Sequence, residues 1–233
     1  MLSENISSKA MLVHHHNQTG VVAMTSHDVI ALDDGKGFTL GAGRAFSAYD
    51  KSELASLLLN EDSNAEFLPE NFLFSSRTVL AWYRRPSLHD IPIQGERIRA
   101  PLPGLIFLAA ANQSFRCFAF KGSHRPTPET ELFYVPLGNV YQGGTFCTGS
   151  AHVPRDVRTE NIPAWENFVL ESDNTHDGTV NPVRGCQSFA ALKDFYRMLS
   201  ENNAKRFPAG KLVACQASGR PLTLGQAAMG GAR

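Results

Sequence analysis

Asn139 stands eight residues before Cys147 in the run Asn139-Val140-Tyr141-Gln142-Gly143-Gly144-Thr145-Phe146-Cys147, across a glycine turn. A cysteine thiolate can attack an activated carbonyl and hold the acyl group as a thioester. A nearby carboxamide can order a polar loop, or donate to the oxyanion that forms when the thioester is attacked. Cys147 follows the turn, so its side chain is expected at a loop surface. There Thr145, Thr148 and backbone N–H groups near Gly149 would lower its pKa. His152 and His176 are candidate bases or sources of positive charge. Asparagine is also a common turn residue, so Asn139 has a purely structural reading beside the catalytic one.

The elements that must hold this loop can be read on both sides of it. Leu105–Ala110 and Phe115–Phe120 flank Asn112-Gln113-Ser114 and predict a hairpin, with Phe118 and Phe120 on one face and Cys117 on the other. Arg77–Tyr83 predicts a strand, and Arg84-Arg85-Pro86 ends it. A proline-bearing connection through Pro86, Pro92, Pro101 and Pro103 is expected next, and Glu131–Val135 reads as a short extended segment. Beyond Cys147, Pro163–Leu170 predicts a short helix with proline in its first turn. Ser188–Asn202 predicts a longer one, with Phe189, Leu192, Phe195, Tyr196 and Leu199 on a single core-facing stripe. Trp82 and Trp165 are expected in the core or a groove.

Upstream, Asp50 or Ser52 can cap a helix through Leu59, and Val21–Met24 with Val29–Leu32 reads as a hairpin about Ser26-His27-Asp28. Residues 1–19 read as a flexible polar tail, 20–49 as a hairpin extension, 50–207 as the core and 208–233 as a fraying tail. The run His14-His15-His16 lacks a Cys, Asp or Glu at ligand spacing, so it reads as solvated and no metal is expected. The pairs Gly35-x-Gly37 and Gly41-x-Gly43 lack the third glycine and helix start of a dinucleotide fingerprint, and no cofactor is expected. Strands followed by helices, without strand–helix alternation, predict an α+β fold: helices packed on an antiparallel meander.

Composition bounds the function. Of 233 residues 42% are hydrophobic and 19% charged, with a formal net charge of +0. That suits a globular protein and argues against non-specific attraction to nucleic acid or an anionic membrane. The run Met1–Ala10 has no apolar signal-peptide core, and the four cysteines contain no C-x-x-C pair. A cytoplasmic protein with free thiols is the expectation. Cys117, Cys186 and Cys215 read as small buried hydrophobes.

The order of elements and the loop together resemble the ubiquitin-conjugating enzymes. That family has a helix, a four-stranded meander, a His-Pro-Asn turn, a catalytic cysteine eight residues after the asparagine, and further helices. Asn139 matches the asparagine and Cys147 the cysteine. Gly144 and Phe146 match the glycine and apolar residue that commonly precede it, and the elements from Lys51 to Asn202 follow the family's order. Leu137-Gly138 stand where the family has His-Pro, so the loop needs another brace. Thr148-Gly149-Ser150 replace the aliphatic and acidic residues usual after the cysteine. Several stretches are similar to a bacterial family, the B proteins of the PRTRC (ParB-related, ThiF-related) cassette. They include Leu68–Asn71, Arg125–Phe133, Gly149-Ser150-x-x-Val153-Pro154, Ala164-Trp165-Glu166 and Leu222-Thr223-Leu224. This family is similar to a prokaryotic branch of the conjugating superfamily.

The resemblance implies a plasmid or mobile-element setting, a ThiF-like adenylating enzyme, a ubiquitin-like protein and a ParB-related protein as partners, and Cys147 and Asn139 as catalytic residues. Asp156, Glu160, Asp173 and Asp177 would then be candidates for positioning an acceptor lysine. Three functions follow: a carrier forming a Cys147 thioester, a non-catalytic scaffold of the same fold, and an accessory in DNA maintenance. Neutral charge and the lack of a DNA-reading motif weigh against direct nucleic-acid binding.

Overall fold

The computed structural model describes residues 8–18, 20–32, 36–59, 69–76, 78–111, 115–149, 151 and 153–229. Two units divide the chain, Met1–Glu66 and Phe67–Arg233.

In the first unit β1 (Lys9–His16) pairs antiparallel with β2 (Gly20–Ala31), and β3 (Phe38–Leu40) and β4 (Arg44–Ala45) both pair with β2. Two expectations are corrected here. Lys9–His16 is a strand, not part of a polar tail, and Val21–Ala31 runs straight through Ser26-His27-Asp28 without turning. The strand β1 is exposed along nearly its whole length, so it carries no apolar alternation to betray it. Polar contacts substitute: His14 bonds Thr25 across the hairpin at 3.0 Å, and Thr25 bonds His27 at 3.0 Å. Helix α1 (Ala48–Leu59) starts earlier than expected because Ser47 caps it. The Ser47 hydroxyl accepts from the Asp50 N–H at 3.1 Å, and the Asp50 carboxylate accepts from the Ser47 N–H at 2.8 Å. Asp50 is thus the reciprocal partner in a capping box rather than the cap. Arg44 grips the same carboxylate and, with Ser47, holds its pKa well below the usual range.

The second unit is built on five antiparallel strands: β5 (Phe72–Ser75), β6 (Val79–Arg84), β9 (Gly104–Ala110), β10 (Phe115–Phe120) and β11 (Phe133–Tyr134). Their spatial order is β11-β10-β9-β6-β5. The turn expected at Asn112-Gln113-Ser114 lies outside the described residues, but the arms pair as the sequence predicts, Phe115 opposite Ala109 and Phe120 opposite Gly104. Between β6 and β9 the chain is not an open connection. It forms a second hairpin, β7 (Ser87–Ile93) and β8 (Glu96–Leu102), closed by Gln94 and Gly95, both at positive φ. Pro92 and Pro101 lie inside these strands. A two-stranded ribbon leaves each strand one edge where a missing N–H breaks no ladder bond.

Alternation along the strands makes two cores. On one face, Trp82, Phe107, Cys117 and Ala119 pack with α2 (Ile162–Glu171) and α3 (Phe189–Glu201). Trp82 stacks on Phe107 at 5.2 Å and meets Trp165 of α2 at 5.4 Å between ring centroids. The whole predicted α3 stripe is buried, and the Ser188 hydroxyl caps the helix by accepting from the Ala191 N–H. On the other face, Phe118 and Phe120 pack with Leu132, Cys215, Leu222, Leu224 and Ala227. The segment expected to fray is therefore structured as far as Met229. It carries β12 (Gln216–Ala217), β13 (Arg220–Pro221) and α4 (Leu224–Ala228), the last opened by a Thr223–Gln226 capping box. No helix among the described residues is long and apolar enough to cross a membrane.

Candidate functional site

Chain entering the site leaves β11 through Val135, Pro136 and Leu137, all buried. Tyr196 of α3 donates its hydroxyl hydrogen bond to the Pro136 carbonyl, which fixes this strand exit against the helix. Leu137, 2% exposed, stands in the core. Gly138 cannot be larger: a Cβ there would lie 2.7 Å from the Phe189 ring and 3.0 Å from the His176 carbonyl oxygen.

Residues 139–147 then close on themselves as a small hairpin. The Cys147 N–H donates to the Asn139 carbonyl at 2.9 Å, Val140 bridges Phe146, and the Tyr141 N–H donates to the Thr145 carbonyl at 2.8 Å. The eight-residue spacing is therefore the register that sets Asn139 opposite Cys147. Asn139 itself has φ 59°, a left-handed conformation that asparagine tolerates better than most residues. At the tip Gly144 has φ 81°, and a Cβ there would meet the Phe118 ring at 2.4 Å.

A second loop, following α2, is welded to the first. The Asn139 N–H donates to the His176 carbonyl at 2.9 Å, and the Thr179 N–H donates to the Val140 carbonyl at 3.1 Å. The Asn139 side chain uses both ends of its amide. Its Nδ2 donates to the Asp173 carbonyl at 2.9 Å, and its Oδ1 accepts from the N–H groups of Thr175 at 3.1 Å and His176 at 3.3 Å. Gly178 packs so closely that a Cβ would lie 2.1 Å from the Val140 carbonyl oxygen. These bonds brace the 139–147 loop through contacts with the second loop.

The weld brings His176 to the thiol. Tyr141 and His176 lie ring over ring, with centroids 6.4 Å apart and planes 29° apart. Cys147 is half-buried. Hydrogen bonding to its thiolate by Tyr141, then by His176, then by the Gly149 backbone outweighs partial desolvation and holds its pKa down to about 7. The same bond raises the Tyr141 hydroxyl, which remains the donor. His176 accepts from the Gly178 N–H at Nδ1, at 3.0 Å. In the neutral ring the proton is thereby placed on Nε2.

Other sequence candidates divide. Asn139 and Cys147 are brought together, and His176 joins them across 29 residues of chain. His152 lies outside the described residues. Thr145 turns its hydroxyl to the Gln142 carbonyl at 3.4 Å. The Asp173 carboxylate accepts from the Gly95 N–H at 3.0 Å, and Glu160 pairs with Arg158 at 3.6 Å. Cys117, Cys186 and Cys215 are buried. Tyr141 was not singled out in the sequence, although it sits inside the motif. The signal for it was its place two residues after Asn139, on the strand that faces Thr145 across the turn. No three His, Cys, Asp or Glu side chains among the described residues form a metal-holding group.

A half-buried thiol of lowered pKa on an outer loop, with two fixed donors, suits an acyl group attached to a large partner. Residues 51–215, more than half of the chain, match the profile of prokaryotic E2 family D, E2 denoting ubiquitin-conjugating enzymes. No curated protein and no solved structure matches the chain.

Proposed function

The chain belongs to prokaryotic E2 family D, and we propose that it carries a ubiquitin-like protein as a thioester on Cys147 and passes it to an amine. The observation that carries this reading is the register that sets Asn139 opposite Cys147 and ties that loop to the one bearing His176, with Tyr141 and His176 holding the thiol down to about 7. In loading, the Cys147 thiolate attacks the carbonyl carbon of an activated C-terminus, and the activating enzyme's thiolate leaves. In discharge, an acceptor amine attacks the same carbon, Cys147 leaves as thiolate, and the amine gives up its proton to water. A lowered thiol pKa favours the second step, because the more stable thiolate is the better leaving group. Tyr141 and Nε2–H of His176 are the donors that receive the returning charge. Asn139 acts by holding the loop that carries His176. A ThiF-like adenylating enzyme and a ubiquitin-like protein, encoded with it in a PRTRC cassette, are the proposed partners.

The test is to incubate the full chain with those two proteins and ATP. A covalent adduct sensitive to thiols is expected, absent in Cys147→Ala and converted to a thiol-resistant ester in Cys147→Ser. An adduct that persists in Cys147→Ala, or none at all with the cognate pair, would overturn the proposal and leave the scaffold reading.

A further inference from the structure

The second unit has a cavity of about 480 Å³ that the thioester chemistry does not use. It opens where β6 ends, β9 begins and β10 ends, against the chain that follows α3. Four cations line it, Arg85, Lys121, Lys205 and Arg206, and no acidic residue among the described residues does. In a chain of formal net charge +0 that is a local concentration of positive charge. Little of it is neutralised. Arg85 meets Glu70 at 3.2 Å, but both side chains are well exposed and their attraction is screened by water. The Lys121 ammonium sits 4.5 Å over the Phe133 ring, a contact that leaves its charge intact. Lys205 and Arg206 form no salt bridge among the described residues.

The walls are of a different character. Phe120 and Phe207 border the cavity and are buried. Phe120 lies so close under Gly104 that a Cβ there would sit 2.3 Å from its ring, so the wall is set by packing. The space is a half-open cleft of small-molecule size, since ligand sites commonly span about 300–1,000 Å³.

We propose that this cavity binds a small phosphate ester with a planar or apolar body, the phosphate facing the four cations and the body lying on the phenylalanine wall. The proposal is independent of Cys147. Its test is equilibrium dialysis of the full chain against ADP, adenosine, inorganic phosphate and hexaglutamate at one moderate salt concentration. ADP should bind more tightly than the other three. The double variant Lys205→Ala/Arg206→Ala should bind ADP about tenfold more weakly or worse, as loss of charge-assisted bonds predicts, with an unchanged melting temperature. Cys147→Ala should bind ADP like the parent. Absence of saturable ADP binding, equal binding by the double variant, or equally tight binding of phosphate or hexaglutamate would each overturn it.

Discussion

Cys147 and Cys215 are the same side chain in one chain, yet their surroundings pull them in opposite directions. Cys215 sits against the sheet, 2% exposed, among Leu132, Leu222 and Phe118. Burial pushes its thiol up to about 12. Cys117, on the opposite face of the sheet, is also raised by burial. The Cys147 thiol is held down to about 7 by hydrogen bonds, the largest from Tyr141 of its own loop and the next from His176 of the second loop. The sheet excludes water, and at Cys117 the Phe118 backbone hydrogen bond does not offset burial, whereas the paired loops admit some water and supply Tyr141 and His176 as donors. Reactivity here comes from what the two loops together deliver to the sulfur: Tyr141 and the Gly149 backbone from its own loop, and His176 from the other.

The sharpest way to break this contrast is alkylation of the folded protein across pH. At pH 7 the thiolate fractions of Cys147 and Cys215 should differ by roughly 10⁵-fold, from values of about 7 and about 12. One thiol should therefore react, with a half-maximal rate near pH 7, and the other three should appear only on unfolding. The sign is fixed: a lowered pKa means the charged form is favoured in the folded state, so reactivity is retained above that pH and lost as pH falls through it. Mass spectrometry of the modified peptides identifies the sites. Two fast thiols, or a midpoint near the ordinary value of 9.0, would remove the distinction.

A second test attacks the weld and leaves the sulfur alone. Gly178 has φ 69°, and a methyl there would strike the Val140 carbonyl oxygen. Gly178→Ala should cost about 2–3 kcal/mol, from overpacking together with the left-handed backbone. Denaturant unfolding measures it. Alkylation of Cys147 should slow toward that of an ordinary thiol, with Cys215 still protected. A stable variant with unchanged Cys147 reactivity would show that the weld does not control the thiol.

A smaller effect isolates one donor. Tyr141→Phe keeps the ring and removes the hydroxyl. Losing a donor to the thiolate disfavours the charged form, so the alkylation midpoint should rise from about 7 toward 9.0. His176→Ala should raise it less, because Tyr141 is the larger influence. The reverse ranking would mean that the imidazole, not the phenol, governs the sulfur.

These differences also explain what could be read from the chain. The α3 stripe, the β9–β10 pairing and the Asn139–Cys147 spacing were legible because each is a local pattern with a period or a turn. Strand β1 was not, since its exposed residues show no alternation. The β7–β8 hairpin was hidden by prolines that argue against strands in general but not against ribbon edges. Leu212, Cys215, Leu222 and Leu224 are spaced too irregularly to announce burial, although each is 3% exposed or less. At the site, Cys147 and Asn139 were visible as a motif. The pairing of His176 with Tyr141 was not, because it depends on backbone hydrogen bonds between two loops, and backbone groups carry no side-chain signature.

The smallest expected effect belongs to Asn139, and it decides what kind of residue Asn139 is. Asn139→Ala removes one donor and one acceptor on an outer loop, where water can replace them, so about 1 kcal/mol of stability is expected to go. In the resting structure both ends of the amide are committed to residues 173–176. If its work is to hold that loop, the variant should lose His176 from the sulfur. The thiol midpoint should then rise, and discharge to a free amine should slow in step with the rate of alkylation. Rescue by histidine or by the isosteric aspartate would be partial, since neither supplies the donor to the Asp173 carbonyl together with the Oδ1 acceptor in the same geometry. If Asn139 instead left the loop to stabilise the oxyanion, discharge would fall while the alkylation midpoint stayed near 7. Measuring both rates on one variant separates a positioning residue from a catalytic one, and the committed amide predicts that the two fall together.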